Sequence, residues 1–373
     1  MRPRFTSGLA LGVVLLAGCG SAAGPAAPSP SSPSPTSGWH RVEALPGSAG
    51  GSVRDVVAKG SGFVAVGSSG LRGPGAAWTS ADGASWQATP GEAALATLPL
   101  DAVAVTGTGL DAFGAACEGT LECVTTNEAS FDGSAWSKVS AFVGPSGEEP
   151  VRFATIGGRL VGVGSVYVSA NPADYGGRVW TSPTGGAWTQ VPDASVFAKG
   201  QMNDIVLGPH GLVAVGAAQS GSELGTDAAV WTSPDGLKWT RLPSQPDFAD
   251  ASMFTIVGSS SGLVAAGQGA QGAAVWTSTD GIRWVRVADA PTLHDAVIYG
   301  AASGRSGLVA VGYGHDNAVI WTSPDATTWT RVPDAPTFAK AQAGAVAVVG
   351  DAVVVVGGAN GETSPEAIIW SNH

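Results

Sequence analysis

Short apolar runs separated by glycine-rich turns recur along the chain, and Asp204–Leu242 shows one full cycle of the pattern. The cycle holds a β-branched run after Asp204, a glycine-bounded apolar run over 211–216, and a third apolar run around Trp231. Lys238–Leu242 then alternates polar and apolar positions, as a half-exposed outer strand does. Because no stretch of the mature chain shows a long helical period, the pattern predicts four short antiparallel strands per cycle and almost no helix.

Tryptophans mark the same cycle along the whole chain. All thirteen fall into two slots, which lie eight residues apart in complete copies such as Trp231 and Trp239. The second-slot residues recur every 45 to 52 residues, at Trp39, Trp86, Trp136, Trp188, Trp239, Trp284 and Trp329. This period suits a four-stranded propeller blade, which needs roughly 40 to 50 residues.

One copy of the repeat is divided between the chain ends. Trp370 has no partner after it, and Trp39 has no partner before it. The sequence therefore predicts an all-β, seven-bladed β-propeller with four antiparallel strands per blade. In this ring, residues 39–42 complete the C-terminal blade, which removes the free edges of an open array. We expect the tryptophans to be core residues and the small residues of the Val-Ala-Val-Gly strands to lie near the axis.

The first residues have the order of an export signal. Arg2 and Arg4 precede an apolar stretch that ends at Leu16, and small residues precede Cys19. The string Leu-Ala-Gly-Cys over 16–19 resembles the lipobox of bacterial lipoproteins, a family in which this cysteine is acylated and begins the mature chain. The resemblance implies a palmitate-type anchor on Cys19 and a place on the extracytoplasmic face of the cell membrane. The alternative is an ordinary signal peptide with an incidental cysteine.

The predicted organisation has three parts. Residues 1–18 are the lipoprotein signal peptide, and residues 19–37 are the acylated cysteine with a tether of Pro, Ser, Ala, Gly and Thr. Such a composition cannot bury a core and holds the folded part away from the bilayer. Residues 38–373 form the propeller.

Cys117 and Cys123 are the only cysteines besides Cys19. Five residues separate them, and an exported protein meets an oxidising compartment, so we expect a disulfide-closed loop. The loop lies between the second and third strands of the second blade. It places Glu118 and Glu122 on the rim.

The chain is acidic, with 18 Lys and Arg against 29 Asp and Glu, a net charge of −11. An acidic surface disfavours nucleic acids and anionic lipid surfaces as partners. No basic stripe contradicts this, and we expect no nucleic-acid partner.

The string Ser-x-Asp-Gly-x-x-Trp recurs at Ser80, Ser130, Ser233 and Ser278, and decays at Thr184 and Ala326. It resembles the Asp-box, the repeat of bacterial neuraminidases and of many non-enzymatic propellers, but has one residue fewer between Asp and Trp. Physically the string suits a turn between the third and fourth strands, because Ser and Asp side chains cap nearby amides and Gly accepts a positive φ. In propellers this turn lies opposite the usual binding face.

The resemblance to sialidases implies three carboxylate-gripping arginines, a Tyr–Glu nucleophile pair and an acidic acid/base. The string nearest to the first arginine motif is Val151-Arg152-Phe153, which lies too late in the chain and lacks Ile-Pro. The four tyrosines have no evident catalytic context. Glycoside hydrolysis needs two carboxylates at a fixed separation, and no motif nominates such a pair. The sequence therefore assigns no catalytic residue, and a sialidase-like glycosidase stays an alternative.

Variable loops between second and third strands, and between blades, share one face of a propeller. The candidate ligand residues on this face are polar or aromatic: Tyr167, Asp174, Tyr175, Glu223, His294, Asp295, His315, Asp316 and Asn317. Two His-Asp pairs on neighbouring loops, at 294–295 and 315–316, are able to hold a metal or to act as acid and base. The alternative is that they are solvated loop residues with local turn bonds. The sequence nominates no metal site and no cofactor.

The predicted function is an exported, membrane-anchored lipoprotein whose propeller is a non-catalytic docking module for a protein or an envelope glycan. We expect a monomer that contacts the bilayer through acylated Cys19. Alternatives are a sialidase-like glycoside hydrolase and a structural envelope or assembly factor. A buried cluster of arginine with two close carboxylates at the axis favours the enzyme, whereas a shallow polar face without such a cluster favours binding.

Overall fold

A computed structural model describes residues 38–42, 45–48, 50–70, 73–90, 92–95, 99–107, 109–117, 123–131, 134–142, 149–167, 175–183, 188–192, 194–220, 225–359 and 367–372. Within these ranges, the side chains of residues 92–93, 115–117, 123–128, 139–142, 149–150, 167 and 194 are not described. The predicted signal peptide, the lipobox with Cys19 and the tether lie outside the described residues, as does Thr184.

The described residues form twenty-eight strands, which follow one another along the chain. The first is β1 (Trp39–Val42). Blade 1 contains β2 (Ser52–Lys59), β3 (Gly62–Ser68), β4 (Gly75–Ser80) and β5 (Gln87–Ala88). Blade 2 contains β6 (Ala102–Val105), β7 (Leu110–Cys117), β8 (Cys123–Phe131) and β9 (Trp136–Phe142). Blade 3 contains β10 (Glu149–Ile156), β11 (Arg159–Tyr167), β12 (Tyr175–Pro183) and β13 (Thr189–Gln190).

The remaining blades repeat this order. Blade 4 contains β14 (Gly200–Gly208), β15 (Gly211–Gln219), β16 (Thr226–Ser233) and β17 (Thr240–Arg241). Blade 5 contains β18 (Ser252–Ser259), β19 (Gly262–Gly269), β20 (Gly272–Ser278) and β21 (Val285–Arg286). Blade 6 contains β22 (Val297–Gly304), β23 (Gly307–Gly314), β24 (Asn317–Ser323) and β25 (Thr330–Arg331). Blade 7 contains β26 (Ala341–Val349), β27 (Ala352–Ala359) and β28 (Ala367–Asn372).

The blades close into a ring, as the sequence predicted. Each of the seven sheets has four antiparallel strands, and β1 pairs with β28 as the outer strand of blade 7. The first strands of neighbouring blades contact one another around the full circle, so they line the axis. The predicted seven-bladed propeller, including its closure by residues 39–42, is confirmed.

In the part of the chain that the structure describes, helical structure is short and lies between or beside blades. It consists of α1 (Glu92–Leu95), α2 (Ala194–Phe197) and three single-turn 3-10 helices, Pro246–Phe248, Pro291–Leu293 and Pro336–Phe338. Proline at the start of each 3-10 turn fixes φ and costs no hydrogen bond there. No helix in the described ranges is both long enough and apolar enough to cross a bilayer.

The two tryptophan slots have separate structural roles. A first-slot indole such as Trp276 is fully buried, and its Nε1 donates to the carbonyl of Asp247 in the connection from the preceding blade at 2.6 Å. A second-slot indole such as Trp284 donates to the carbonyl of Gly281 inside its own turn at 3.2 Å. Both slots therefore bury a large apolar surface while their single N–H group stays satisfied.

The Ser-x-Asp-Gly string forms the turn between third and fourth strands. In blade 4, the Ser233 hydroxyl accepts a hydrogen bond from the Gly236 N–H at 2.8 Å, and Asp235 Oδ1 accepts from Leu237 and Lys238 at 2.9 Å. Gly236 has a φ of 77°, a left-handed conformation that glycine adopts without strain. Ala326 takes the same conformation in blade 6, with a φ of 68°.

Candidate functional site

The antiparallel strand order gives the ring two unlike faces. The loop face holds the connections between blades and between second and third strands. The turn face holds the connections from first to second and from third to fourth strands, including the Ser-x-Asp-Gly turns. The predicted ligand residues that the structure describes belong to the loop face. Asp174 and Glu223 lie outside the described residues. Tyr167 ends β11 opposite Tyr175, the half-buried first residue of β12, but its side chain is not described.

The predicted His-Asp residues of blade 6 form a tight turn. His315 and Asp316 are exposed, and both have positive φ values, 52° and 64°, between β23 and β24. The Tyr313 hydroxyl donates to Asp316 Oδ1 at 2.8 Å, and this bond raises the pKa of Tyr313. Asn317 Oδ1 accepts from the Lys340 N–H at 3.2 Å, which joins β24 to the next connection. These contacts are local hydrogen bonds, one within the turn and one from β24 to the next connection.

The other His-Asp pair, His294 and Asp295, has a backbone conformation that recurs between other blades. Asp295 has a φ of 54°, and the residues at the same place in three other connections are also left-handed: Lys199, Asp250 and Lys340. His294 is half-buried and forms an isolated bridge with Gly272 of its own blade. Among the described residues, no group of three or more His, Cys, Asp and Glu is placed to hold a metal ion.

The two cysteines of blade 2 meet at the loop face. Cys117 ends β7 and pairs in register with Cys123, the first residue of β8. Their side chains, and the loop with Glu118 and Glu122, lie outside the described residues, so the disulfide stays a prediction. Opposite residues of an antiparallel pair have Cα atoms about 4.5 to 5.5 Å apart, a separation that a disulfide spans.

A β-bulge near the loop face interrupts the first strand of six blades. The register shifts at residues 54, 151, 203, 254, 299 and 344. A bulge adds one residue and re-aims nearby side chains. Because first strands line the axis, these positions form an inner ring at the loop face. The sequence does not predict this ring, since a bulge leaves no local signal of its own in an apolar run.

Two aspartates directly after bulges connect neighbouring blades. Asp55 Oδ1 accepts from the Val56 N–H at 2.9 Å, and its Oδ2 accepts from the Val103 N–H of blade 2 at 3.1 Å. Asp204 Oδ2 accepts from the Thr255 hydroxyl at 3.0 Å and from the Ile256 N–H at 2.8 Å, both in blade 5. Burial raises the pKa of both carboxyl groups, although these bonds and a nearby arginine oppose the increase. The signal in the sequence was an acidic residue immediately before a β-branched run.

That arginine is Arg152, which follows the bulge of blade 3. The negative charge of Asp55, and then that of Asp204, raises the pKa of the guanidinium against the effect of burial. The structure thus brings one arginine and two carboxylates together near the axis, from blades 1, 3 and 4. All four carboxylate oxygens already accept backbone N–H bonds within or between blades. The cluster is therefore part of the framework that joins the blades.

The rest of the inner ring divides into a charged side and an aromatic side. In blades 1 and 2, Arg54 Nε lies 3.9 Å from Asp101 Oδ1, and both side chains are about half exposed. In blades 5 and 6, the half-buried rings of Phe254 and Tyr299 lie 5.8 Å apart, centroid to centroid. Between them, Asn203 Nδ2 donates to the Met253 carbonyl at 2.8 Å. The loop face thus offers aromatic, amide and charged groups around one axis.

No protein-family model and no curated protein sequence matches this chain. Among solved structures it is similar to "YCF48 bound to D1 peptide", with 14% identity, a TM-score of 0.58, and coverage of 91% of this chain and 96% of that chain. It is also similar to the β-propeller domain of the Trilobed protease from Pyrococcus furiosus, with 10% identity, a TM-score of 0.52, and coverage of 86% and 95%.

A third similar structure is Trypanosoma rangeli sialidase in complex with 2,3-difluorosialic acid. The identity is 11%, the TM-score is 0.50, and the match covers 77% of this chain and 55% of that chain. At such identities the likeness shows the fold alone. The sialidase-like character that the sequence indicated is therefore confirmed as a propeller fold, and no activity follows from it.

Proposed function

We propose that this protein is an exported, lipid-anchored docking module that binds a polypeptide partner at the loop face around the axis. The observation that supports it is the inner ring, which carries the Phe254–Tyr299 pair in blades 5 and 6, Asn203 in blade 4 and the Arg54–Asp101 ion pair in blades 1 and 2. Aromatic residues and arginine dominate the binding energy of protein interfaces, because rigid rings bury area at low entropic cost and guanidinium groups pair with carboxylates. One similar propeller was solved bound to a peptide.

The ring presents these groups rigidly. Cross-blade bonds from Asp55 and Asp204 hold neighbouring first strands together directly beneath the bulges. A surface that is already ordered loses little conformational entropy on binding, which favours affinity. The mechanism is display of a fixed surface, with no chemical step.

The anchor is the second part of the proposal. The lipobox-like string at Cys19 supports acylation of that residue, and the tether over 20–37 joins it to Gly38. Trp39 pairs with Asn372, the turn-face end of β28, so the chain enters the ring at the turn face. The loop face is therefore the face opposite the point of attachment, which leaves it accessible.

The anchor is tested by metabolic labelling with an alkyne analogue of palmitate. The wild-type chain is expected to take up label and to fractionate with membranes, and Cys19→Ser to do neither. Equal labelling of both chains excludes acylation at this cysteine.

Docking is tested by affinity capture from solubilised cell envelope with the mature chain as bait. Three baits are compared: wild type, Phe254→Ala/Tyr299→Ala, and the turn-face control His210→Ala. We expect the wild-type and control baits to capture one polypeptide with saturable binding. We expect the inner-ring variant to fail to capture it. Its direct binding to the purified chain is then measured by calorimetry. Equal recovery by all three baits contradicts the inner ring as the binding site, and recovery of a glycan identifies the other ligand class.

A fourth bait locates the outer rim. It shortens the segment 165–178 and changes His315 and Asp316 to Ala. Loss of the partner from this bait alone moves the interface outward to the predicted loop residues.

A glycoside hydrolase is the second candidate, favoured by the charge interactions of Arg152 with both Asp55 and Asp204. A retaining or inverting glycosidase needs one carboxyl group to protonate the leaving group and another to act as nucleophile or base. The hydrogen bonds of both carboxylates to the next blade argue against that role. Fluorogenic glycosides, including a sialoside, provide the test: turnover that Asp204→Asn abolishes in a folded chain supports the enzyme and overturns the docking proposal.

A further inference from the structure

Exposed aliphatic side chains concentrate on the turn face. Among the described residues, the large apolar side chains with high exposure are Val105, Val151, Leu207, Leu237, Ile282 and Val285. All except Val151 lie at turn-face ends of strands or in turn-face turns. Surface aliphatic residues scattered singly need no explanation, whereas their concentration on one face makes that face a candidate contact surface.

Blades 4 and 5 supply most of this group. Leu237 and Ile282 hold the same position in adjacent Ser-x-Asp-Gly turns and are 44% and 50% exposed. The corresponding residues of blades 1 and 6 are Ala84 and Thr327. The aliphatic pair is therefore a local property of two blades and not a requirement of the turn.

The turn fixes the direction of both side chains. Asp280 Oδ1 accepts hydrogen bonds from the Ile282 and Arg283 N–H groups at 2.8 Å, and Gln245 Nε2 donates to the Ile282 carbonyl at 3.0 Å. Asp235 holds Leu237 in the same way. Ordering these side chains against a partner therefore costs little backbone entropy.

A cation follows each of the two aliphatic residues. Lys238 follows Leu237, and Arg283 follows Ile282, whereas blades 1 and 6 have Ser85 and Thr328 there. The Asp235 and Asp280 carboxylates of these turns are bound to backbone N–H groups. An aliphatic residue next to Lys or Arg suits the boundary of a bilayer, where the apolar part enters the acyl region and the charge stays at the phosphates.

The chain enters the ring on this same face, at Gly38 beside the end of β28. A fully extended segment of eighteen residues spans at most about 60 Å. This tether, which the sequence predicts to space the ring from the bilayer, has a composition that also lets the turn face reach the bilayer in which an acylated Cys19 is anchored.

We infer that the turn ends of blades 4 and 5 rest on the phospholipid surface, with Leu237 and Ile282 at the boundary of headgroups and acyl chains. Lys238 and Arg283 lie at the lipid phosphates, which overcomes locally the repulsion expected from the acidic chain. The contact rests on the proposed acylation of Cys19, because two aliphatic side chains give only weak binding without an anchor. It orients the loop face towards the partner.

The test uses the full acylated protein in vesicles of phosphatidylcholine and phosphatidylglycerol, some of them doped with a spin-labelled quencher lipid. An environment-sensitive fluorophore is attached through Ile282→Cys or, as the loop-face control, Ala339→Cys. Wild-type chain labelled in parallel gives the background from Cys117 and Cys123. We expect several-fold stronger quenching and a blue-shifted emission at position 282 compared with position 339.

The outcomes separate the turn-face contact from the lipid anchor. Equal quenching at the two positions, in protein that floats with the vesicles, overturns the turn-face contact and leaves the anchor and the docking proposal intact. Protein that fails to float overturns the anchor and the contact with it. A second variant, Lys238→Glu/Arg283→Glu carrying the label at 282, is expected to lose most of the quenching. Unchanged quenching in that variant contradicts the phosphate contact.

Discussion

Asp204 Oδ2 in blade 4 accepts a 2.8 Å hydrogen bond from the backbone N–H of Ile256 in blade 5. The two residues are 52 positions apart in the chain, and a bulge in each first strand brings them together. This bond joins the inner-ring segments of two neighbouring blades, so the shape of the inner ring depends on contacts between blades. Damage to the framework and damage to the proposed binding surface must therefore be separated experimentally.

Replacing Asp204 by Ala is expected to destabilise the ring by about 1 to 3 kcal/mol, because it leaves the Ile256 N–H and the Thr255 hydroxyl without their acceptor. Urea unfolding measures the change in the free energy of unfolding. The matched control is Asp351→Ala in an exposed turn, for which about 0.5 kcal/mol or less is expected. Equal, small effects of both substitutions contradict a cross-blade role for Asp204.

Gly236→Ala is expected to cost about 1 to 3 kcal/mol, from left-handed strain together with overpacking. The new Cβ lies 2.7 Å from Val161 Cγ2 of blade 3, and φ is 77°. Gly258→Ala is the control, since no atom lies within 4 Å of its Cβ and its φ is not left-handed. Thermal unfolding checks both variants. If Gly258→Ala loses as much stability as Gly236→Ala, the contact with Val161 is not the cause of the loss.

Acid is expected to weaken the turns. The pKa is lowered in four turn carboxylates, those of Asp82, Asp235, Asp280 and Asp325. The largest cause in each is a hydrogen bond that the carboxylate accepts from the backbone N–H of the residue three positions later in the chain. A carboxylate with a lowered folded pKa stabilises the fold above its unfolded pKa, near 4, and this effect is lost as the pH falls towards the folded value.

Asp55 and Asp204 act with the opposite sign. Burial raises their pKa, so their contribution is complete below about pH 4 and is lost as the pH rises through the folded value. We therefore expect the melting temperature to fall on acidification below pH 4, and to fall less in Asp280→Asn than in wild type. A melting curve against pH measures this. An identical acid profile in the variant contradicts a role for the turn carboxylates.

Removing residues 38–42 is expected to lower the melting temperature far more than trimming a loose terminus does. The deletion removes the outer partner of β28, whose other neighbour is β27, and also removes Trp39, which is 7% exposed and packs edge-on against Phe338 at 6.1 Å. Trp39→Ala alone is expected to cost about 3 to 5 kcal/mol. Tryptophan fluorescence during unfolding follows both variants. A deletion variant as stable as wild type rules out closure by β1 as a source of cooperativity.

Cys117 and Cys123 are expected to be oxidised in the exported protein. Intact mass after alkylation, with and without prior reduction, counts their free thiols. We expect two additional alkyl groups only after reduction, in both the wild type and the Cys19→Ser chain. Full alkylation without reductant overturns the disulfide, which the facing positions of the two residues in β7 and β8 otherwise favour.

The sequence by itself determined the architecture. Tryptophans every 45 to 52 residues, three apolar runs and one alternating segment per cycle, and the half-repeats at Trp39 and Trp370 are enough to specify seven blades and their closure. Each blade is a local unit of about 50 residues, so its strands and turns are encoded by neighbours along the chain. The Ser-x-Asp-Gly turn is also encoded by neighbouring residues, because its hydrogen bonds, such as those accepted by Asp235, come from within the turn.

Only the tertiary structure decided what lies at the axis. Asp55, Arg152 and Asp204 come from three different blades, and Phe254 meets Tyr299 across a blade boundary. Their proximity depends on bulges and on ring closure, which act between residues far apart in the chain. The sequence placed His315 and Asp316 on the loop face but gave no sign of this inner ring, because side-chain direction at a bulge is set by pairing with the next strand.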